Sequence, residues 1–544
     1  MLNNQSLKSS VFHKLLDRGL MKDTKQQKKN MKNFHHNYLL AILLGATPLA
    51  ASFISCSNDD YVCNDPDADY SSPAYHDVND RYQNYTTWWK PADGFVGDPM
   101  PLYDNGLFNI FFLHDARDGA ATFHPIALAQ TKDFRTYDYA DVVIPCGEDN
   151  SQEDALGTGC VIKHNGTYYA FYTGHNANLA VHEKIFMATS SDMRSWEKQT
   201  DFVLEAPERD YDRNQFRDPF VYQDGNVFHM LVTTRGYVPA ANDWQAVIAQ
   251  YTSTDLKTWT LDEPFFYNGE NVMECPDYFL MGSYEYLVYS NWDWANADRR
   301  TRYVYREKGS KQWQYPSRPA LDDYYFYAGK TASDGTNRYL IGWTYTRAAF
   351  TDATDKNDRV WAGNLVAHQL TQNGDGTLNV VPANTLIETL GNSQGLEAKV
   401  IKSATINGNQ YTLDGSKEKA LVIFDGVQGV HQITAKLSGN ANRFGFKFGA
   451  SGNRSEVHDL TIDTENGKLE MRHFSNGALI ETRTSVTLPK AENYELTIVN
   501  ENSVCVAYVN GIALTNRIYQ LNRNGWGVFA EGGNLTVSDL KLAK

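Results

Sequence analysis

Three short segments place a carboxylic acid beside a proline: Gly97-Asp98-Pro99, Arg217-Asp218-Pro219 and Glu274-Cys275-Pro276-Asp277. Counted back from the next turn glycine, Asp98 lies eight residues before Gly106, Asp218 seven before Gly225 and Glu274 eight before Gly282. Scattered surface acids would keep no such register, so the three are expected to converge. Carboxyl groups held in different surroundings can divide acid–base work, one remaining an anion while another holds its proton for a leaving group. Cleavage of a glycosidic bond requires such a pair. Mutual repulsion is expected to raise the pKa of clustered acids, whereas Arg217 is expected to keep Asp218 ionised. A proline just after each aspartate, and one residue later for Glu274, suits an edge or innermost strand, where its missing N–H costs no ladder bond.

The elements that would position these acids can be read from a repeat. Thr131-Lys132-Asp133-Phe134-Arg135-Thr136-Tyr137, Ser190-Ser191-Asp192-Met193-Arg194-Ser195-Trp196 and Ser253-Thr254-Asp255-Leu256-Lys257-Thr258-Trp259 are alike, and a weaker fourth copy ends at Trp313. The closing aromatics are 59, 63 and 54 residues apart, the mark of a repeated supersecondary unit. Two β-type runs precede each copy. Before them comes a further candidate strand closed by a glycine turn at Gly106, Gly166, Gly225, Gly282 and Gly335. Five such units predict an all-β fold, a five-bladed β-propeller over residues 85–372, with the innermost strands bringing the acids to one mouth of the channel. After a linker at 373–395 the Asp-x-x-x-Trp signature is lost. Alternating runs such as Phe444–Phe448 and Glu495–Val499 then predict a β-sandwich over 396–544.

The chain has 544 residues and 13% aromatic content. Its formal charge is −15, and because residues 1–56 hold eight basic residues against two acidic ones, the remainder carries −21. That balance argues against nucleic acid as a partner; the aromatic content on an acidic chain suits a neutral oligo- or polysaccharide, whose apolar faces stack on rings, and equally an aromatic-rich β core. Residues 38–54 are almost free of charge and follow a basic stretch ending at Lys32, the layout of a secretory signal, with Met31 or Met21 as alternative starts. Phe53-Ile54-Ser55-Cys56 is similar to a relaxed bacterial lipobox, which predicts cleavage before Cys56 and its acylation. The following Ser57-Asn58-Asp59-Asp60 resembles the acidic tag of surface lipoproteins in gut Bacteroidetes. Residues 1–56 are therefore expected to direct export and 57–84 to act as a tether. The chain would sit on the outer membrane or cell surface, or alternatively in the periplasm. The five remaining cysteines form no disulfide framework, although a Cys146–Cys160 bridge stays open. No motif for a metal or nucleotide cofactor is present.

With the Asp98, Asp218 and Glu274 blocks in this order, the chain resembles glycoside hydrolase family 32, the β-fructosidases (invertases, inulinases and levanases). The likeness extends through Leu321-Asp322, Phe326-Tyr327-Ala328, Gly342-Trp343, Trp361-Ala362-Gly363, Val509-Asn510-Gly511 and Asn516-Arg517-Ile518-Tyr519. It implies that Asp98 is the nucleophile, Glu274 the general acid/base and Asp218 the transition-state stabiliser that grips ring hydroxyls. Hydrolysis would proceed by double displacement with retention and without a cofactor. Arg217, Asp277, Trp88, Trp89, Trp292 and Trp294 are candidates for the sugar site; the alternative is a structural ion pair for Arg217, a turn role for Asp277 and blade packing for each Trp. Cys275 is expected to pack beside Glu274.

Three positions depart from the family pattern. Gly97 stands where the family has Asn, Leu113 where it has Gln, and Leu156-Gly157-Thr158-Gly159 where it has Phe-Ser-Gly-Ser. Fructans of the levan or inulin type are accordingly expected to be better substrates than sucrose. Two alternatives remain open from sequence: a related five-bladed furanosidase of glycoside hydrolase family 43, and a non-catalytic glycan-binding lipoprotein, which would be expected to lose at least one acid.

Overall fold

The turn glycines behave as the repeat requires. Gly106, Gly166, Gly225, Gly282 and Gly335 all have φ between 58° and 94°, a region in which a Cβ is strained and glycine is not. Each joins an innermost strand to its neighbour. The computed structural model describes residues 84–116, 124–239, 242–293, 298–347, 359–450, 456–519 and 525–544. The export segment 1–56 with Cys56, all of the tether 57–84 except its last residue, and Trp294 lie outside the described residues.

Residues 95–382 form the five-bladed β-propeller. Its innermost strands are Phe95–Asp104, Ala155–His164, Tyr211–Asp224, Val272–Met281 and Tyr327–Ser333, each antiparallel to the next strand in sequence. Blade 4 departs from the four-stranded expectation. Its sheet has three strands, and the outer position is held only by the isolated bridges Arg302↔Ala320 and Tyr305↔Gln314. The Asp-containing repeat proves to be a turn that closes on itself. Asp133 Oδ1 accepts the N–H groups of Arg135 and Thr136 at 2.8 Å, while Thr131 Oγ1 accepts that of Phe134 at 3.0 Å. Asp192 with Ser190 and Asp255 with Ser253 repeat the arrangement. A short acceptor side chain can satisfy a turn's backbone in this way, hence the recurring Ser/Thr and Asp.

The sandwich consists of a sheet running from Ala404–Asn407 to Ile512–Arg517 and a second running from Ala398–Lys402 to Ala478–Thr487. Its inward Leu, Ile, Val and Phe side chains form one buried cluster. Residues 373–395, expected as a linker, are built into both domains. Leu378–Pro382 adds a strand to blade 5, and Ser393–Gln394 pairs with the last strand of the sandwich.

The two domains share a buried seam. Val499, Val504, Val506 and Tyr508 of the sandwich belong to the propeller's own core cluster. Buried polar ties cross the seam. Asp322 accepts the N–H and Oγ1–H of Thr515 at 2.9 and 2.6 Å, and the buried Arg517 donates to Tyr345 O at 3.0 Å and to Asn364 Oδ1 at 2.6 Å. Glu501 accepts the N–H groups of Thr86, Thr87 and Trp88 at 2.6–2.8 Å and so clasps the start of the propeller. A buried charge is tolerated when each of its polar atoms is satisfied in this manner.

Candidate active site

Each of the five innermost strands carries a β-bulge in the same place. Pairing with the second strand slips between Gly97 and Met100, Gly157 and Gly159, Arg217 and Phe220, Glu274 and Asp277, and Tyr327 and Lys330. Four of the bulged residues are not glycine yet have positive φ: Asp98 at 33°, Asp218 at 56°, Cys275 at 54° and Ala328 at 52°. Bulges re-aim side chains, and strained backbone of this kind gathers at functional sites. The bulge also corrects the register read from the turn glycines. Asp98 and Asp218 are equivalent to Cys275, whereas Glu274 is equivalent to Gly97, Arg217 and Tyr327, one residue earlier. Glu274 therefore reaches the common mouth from a different rung than the two aspartates, and all three line one cavity of 290 Å³. Two larger cavities, of 450 and 420 Å³, contain none of the acids.

Asp98 accepts a hydrogen bond from Trp343 Nε1 at 2.8 Å, and its backbone carbonyl accepts one from Thr158 Oγ1 at 2.9 Å. Burial pushes its carboxyl up to about 6. The Trp343 N–H opposes that rise, and the charge on Glu274 adds to it. Asp218 is 4% exposed. Its Oδ2 accepts the Cys275 N–H at 2.9 Å, and its own N–H donates to Thr173 Oγ1, also at 2.9 Å. Burial pushes Asp218 up to about 7, opposed by Arg217 and reinforced by Glu274. Glu274 receives Arg217 Nη2 at 3.0 Å on one oxygen and the Tyr327 hydroxyl on the other.

Arg217 departs from expectation in its partners. Its guanidinium spans Glu183 at 3.2 Å and Glu274 at 3.0 Å, and only Nε comes as near as 4.0 Å to Asp218. Asp218 is consequently raised rather than held low, because the desolvation of its buried carboxyl outweighs a cation largely engaged elsewhere. Glu183 is the acid held low. Burial works against this, but Arg217, His175 and the Phe216 N–H prevail.

Several other expectations are corrected. Trp88 and Trp89 are 1% and 9% exposed and belong to the propeller core. Trp88 donates to Val499 O across the domain seam, and Trp89 stacks on Tyr137. Neither has a free face for a sugar. Asp277 is buried below the bulge and accepts the Thr331 N–H at 2.6 Å from the next blade, so it serves neither the acid/base nor a turn. Trp292 lies beneath the Arg299 guanidinium, 3.7 Å from its ring centre, so one face is already covered. Cys275 is buried against Asp218, as packing. No disulfide joins Cys146 to Cys160, so the bridge left open from sequence does not form.

The wall of the cavity explains the departures at Gly97 and Leu113. A Cβ on Gly97 would lie 2.3 Å from the Trp361 ring, so that indole occupies the space a larger residue at 97 would need. His124 packs on Trp361 with ring centres 4.2 Å apart, and burial pushes its imidazole down to about 4, leaving it neutral near pH 7. Leu113 completes this apolar side. Four polar residues escaped the reading of the acid blocks. Tyr327 and Trp343 hold the acids and fall within the Phe-Tyr-Ala and Gly-Trp segments quoted above. Glu183 has no local mark. Nor has the buried Lys330, whose Nζ donates to Thr158 Oγ1 at 3.2 Å and Gly159 O at 2.5 Å beneath the acids.

Comparison with known proteins agrees with this architecture. Residues 89–380 match the glycosyl hydrolases family 32 N-terminal domain, and residues 374–542 match the GH32, BT1760-like, C-terminal domain. A raffinose invertase of Escherichia coli is 24% identical over 482 residues, covering 83% of this chain and 94% of that protein. A sucrose-6-phosphate hydrolase of the same organism is 25% identical over 466 residues, covering 79% and 88%. Among solved structures, sucrose-6-phosphate hydrolase from Lactobacillus gasseri superposes with a TM-score of 0.65 at 20% identity, covering 87% of this chain and 94% of that one. Exo-inulinase from Aspergillus awamori gives 0.64 at 16% identity, covering 86% and 98%.

Proposed function

The chain belongs to glycoside hydrolase family 32 and is a glycosidase acting on β-fructosides, and from that premise we propose that it is a retaining fructan hydrolase whose working groups are Asp98, Glu274 and Asp218. The observation that carries the reading is the convergence of these three acids in one cavity, each with a different set of partners. As an anion, Asp98 attacks the anomeric carbon of the terminal fructosyl unit. Glu274 gives its proton to the departing oxygen, held in place by Arg217 and Tyr327. Water then enters on the same face, Glu274 takes back a proton, and Asp98 is released. Asp218, whose carboxylate is fixed by the Cys275 N–H and whose backbone N–H is fixed on Thr173 Oγ1, accepts hydrogen bonds from ring hydroxyls and stabilises the positive charge that develops at the transition state.

Preference for polymer over sucrose follows from the cavity wall. A site that hydrogen-bonds a hydroxyl discriminates strongly in favour of substrates carrying it. The Trp361 ring and Leu113 supply apolar contact there instead. Binding energy lost next to the nucleophile must come from further along the chain, which sucrose lacks. Levan or inulin oligosaccharides are therefore expected to exceed sucrose in kcat/KM when the purified protein is assayed against all three. Sucrose as the best substrate would refute this preference and leave the roles of the acids standing.

We also propose that the protein is a surface lipoprotein of a Bacteroidetes-type bacterium, anchored through Cys56. The support is the uncharged run 38–54 after a basic stretch and the acidic tag that follows Cys56. Each buried CH₂ of an acyl chain contributes about 0.8 kcal/mol, so two or more chains hold stably. Cys56→Ala should move the protein from the membrane fraction to the soluble one, and unchanged membrane association would rule the anchor out.

A further inference from the structure

In blade 3 the second and third strands, Val227–Val238 and Asp243–Ser253, pair along their whole length and place Tyr237 opposite Trp244. The second strand has twelve residues, against nine or ten in the other blades. Its end therefore projects further. Tyr237 and Trp244 are 48% and 42% exposed, and residues directly opposite in an antiparallel pair lie on the same face.

That face can be identified from residues of the same parity on the strand. Thr233 Oγ1 donates to Met273 O at 2.8 Å, and Arg235 Nη1 donates to Asn271 O at 2.5 Å. Both contacts reach the head of the strand that carries Glu274. Tyr237 lies four residues beyond Thr233, roughly 13 Å further along a strand. The two aromatics thus stand on the rim of the mouth on the side facing blade 4, beyond the level of the acids, where Thr233 pairs with Arg217. They are also held firmly. Arg235 Nη2 donates to Trp244 O at 2.7 Å, and the Tyr237 hydroxyl donates to Asn242 Oδ1 at 2.6 Å.

We propose that Tyr237 and Trp244 form a distal sugar-stacking subsite that takes the non-reacting part of a fructan chain whose end is held by Asp98, Asp218 and Glu274. The inference rests on the fructan reading above. Large rings left bare at an active-site rim offer apolar faces to the C–H faces of a sugar, with a polar edge for its hydroxyls. Asp212 and Asp243 lie near Arg235 and offset its charge, so the rim favours a neutral polymer over an anionic one. The subsite also supplies the remote binding energy that the apolar wall beside Asp98 makes necessary.

The test compares wild type, Trp244→Ala and the double variant Tyr237→Ala/Trp244→Ala on long-chain inulin, long-chain levan and sucrose. Aromatic stacking corresponds to about 2- to 10-fold per platform. For the double variant kcat/KM on the preferred polymer should fall about 5- to 20-fold, chiefly through KM, with sucrose changed less than 2-fold. An equal loss on polymer and sucrose, no loss on either polymer, or an altered sedimentation coefficient pointing to a contact between copies would overturn the subsite. Binding can be read without turnover. Asp98→Asn should be retarded by inulin or levan in affinity electrophoresis, and the retardation should weaken when Trp244→Ala is added. Retardation unchanged by Trp244→Ala, or none with either polymer, would likewise overturn it. If wild type cleaves sucrose but neither polymer, the fructan reading fails by itself, and the electrophoresis still decides the subsite.

Discussion

Asp98→Asn is expected to lower kcat on fructan by about 10⁴- to 10⁶-fold, the range seen when an enzyme loses its covalent nucleophile, while making the protein more stable at neutral pH. Both effects have one origin. Burial pushes the Asp98 carboxyl up to about 6 from an ordinary value of 3.8. A carboxyl raised on folding binds its proton more tightly in the native state. Its stabilising contribution is complete below about pH 4 and is lost as pH rises through 6. Above that, the folded protein carries an ionised acid at a cost of up to about 3 kcal/mol, which Asn avoids while still accepting from Trp343. Thermal unfolding at pH 7.5 should show the variant above wild type, and the gap should close toward pH 4. Because Asp98 must be an anion to attack and Asp218 an anion to stabilise the developing positive charge, and burial pushes them up to about 6 and about 7, the acid limb of the wild-type kcat/KM profile should fall between pH 6 and 7, well above that of an exposed aspartate. Activity within tenfold of wild type in Asp98→Asn would remove Asp98 from the nucleophile's role, whatever its effect on stability.

Glu274→Ala should separate the second role from the first. Loss of a general acid costs about 10²- to 10⁴-fold, so turnover of levan or inulin should fall by that amount. A β-fructofuranosyl fluoride has a leaving group that needs no protonation. With it the first chemical step of Glu274→Ala should recover most of its rate, whereas Asp98→Asn should recover none. Single-turnover release of fluoride reads that step directly. Equal recovery in both variants, or in neither, would overturn the division of labour. Arg217 and Tyr327 bear on the outcome, since they fix the Glu274 carboxyl from two sides, and the alanine variant leaves both donors facing an empty position.

How much of this was legible beforehand can be seen residue by residue. The glycine turns, the Ser/Thr–Asp boxes at Asp133, Asp192 and Asp255, and the acid–proline segments are all local patterns, and together they led to the propeller, its repeat and the meeting of the acids. Counting from turn glycines nonetheless misplaced Glu274 by one rung, because the glycine is the second residue of the two-residue turn after Asp104 but the first of the turns after Asp224 and Met281. Blade 4 lacks a full outer strand despite the Trp313 signature, since its bridges at Ala320 and Gln314 are isolated.

Trp88 and Trp89 were misread for another reason. Their neighbourhood in sequence is the approach to Asp98, but Glu501, more than four hundred residues later, accepts the Trp88 N–H, Leu365 N–H donates to Trp89 O, and both rings lie in the core. Arg217 follows the same logic: adjacent to Asp218 in sequence, it spends its guanidinium on Glu183 and Glu274 from two other blades. The sequence by itself determined what hydrogen bonds and periodicity specify within a few residues, namely strands, turns, repeat and the identity of the acids. Only the tertiary structure decided which charges pair, how far Asp98 and Asp218 are raised, that Trp361 fills the space beside Gly97, and which aromatics remain bare at the mouth. Those outcomes depend on burial and on distances between side chains brought together from separate blades and domains, and neither quantity is carried by local spacing along the chain.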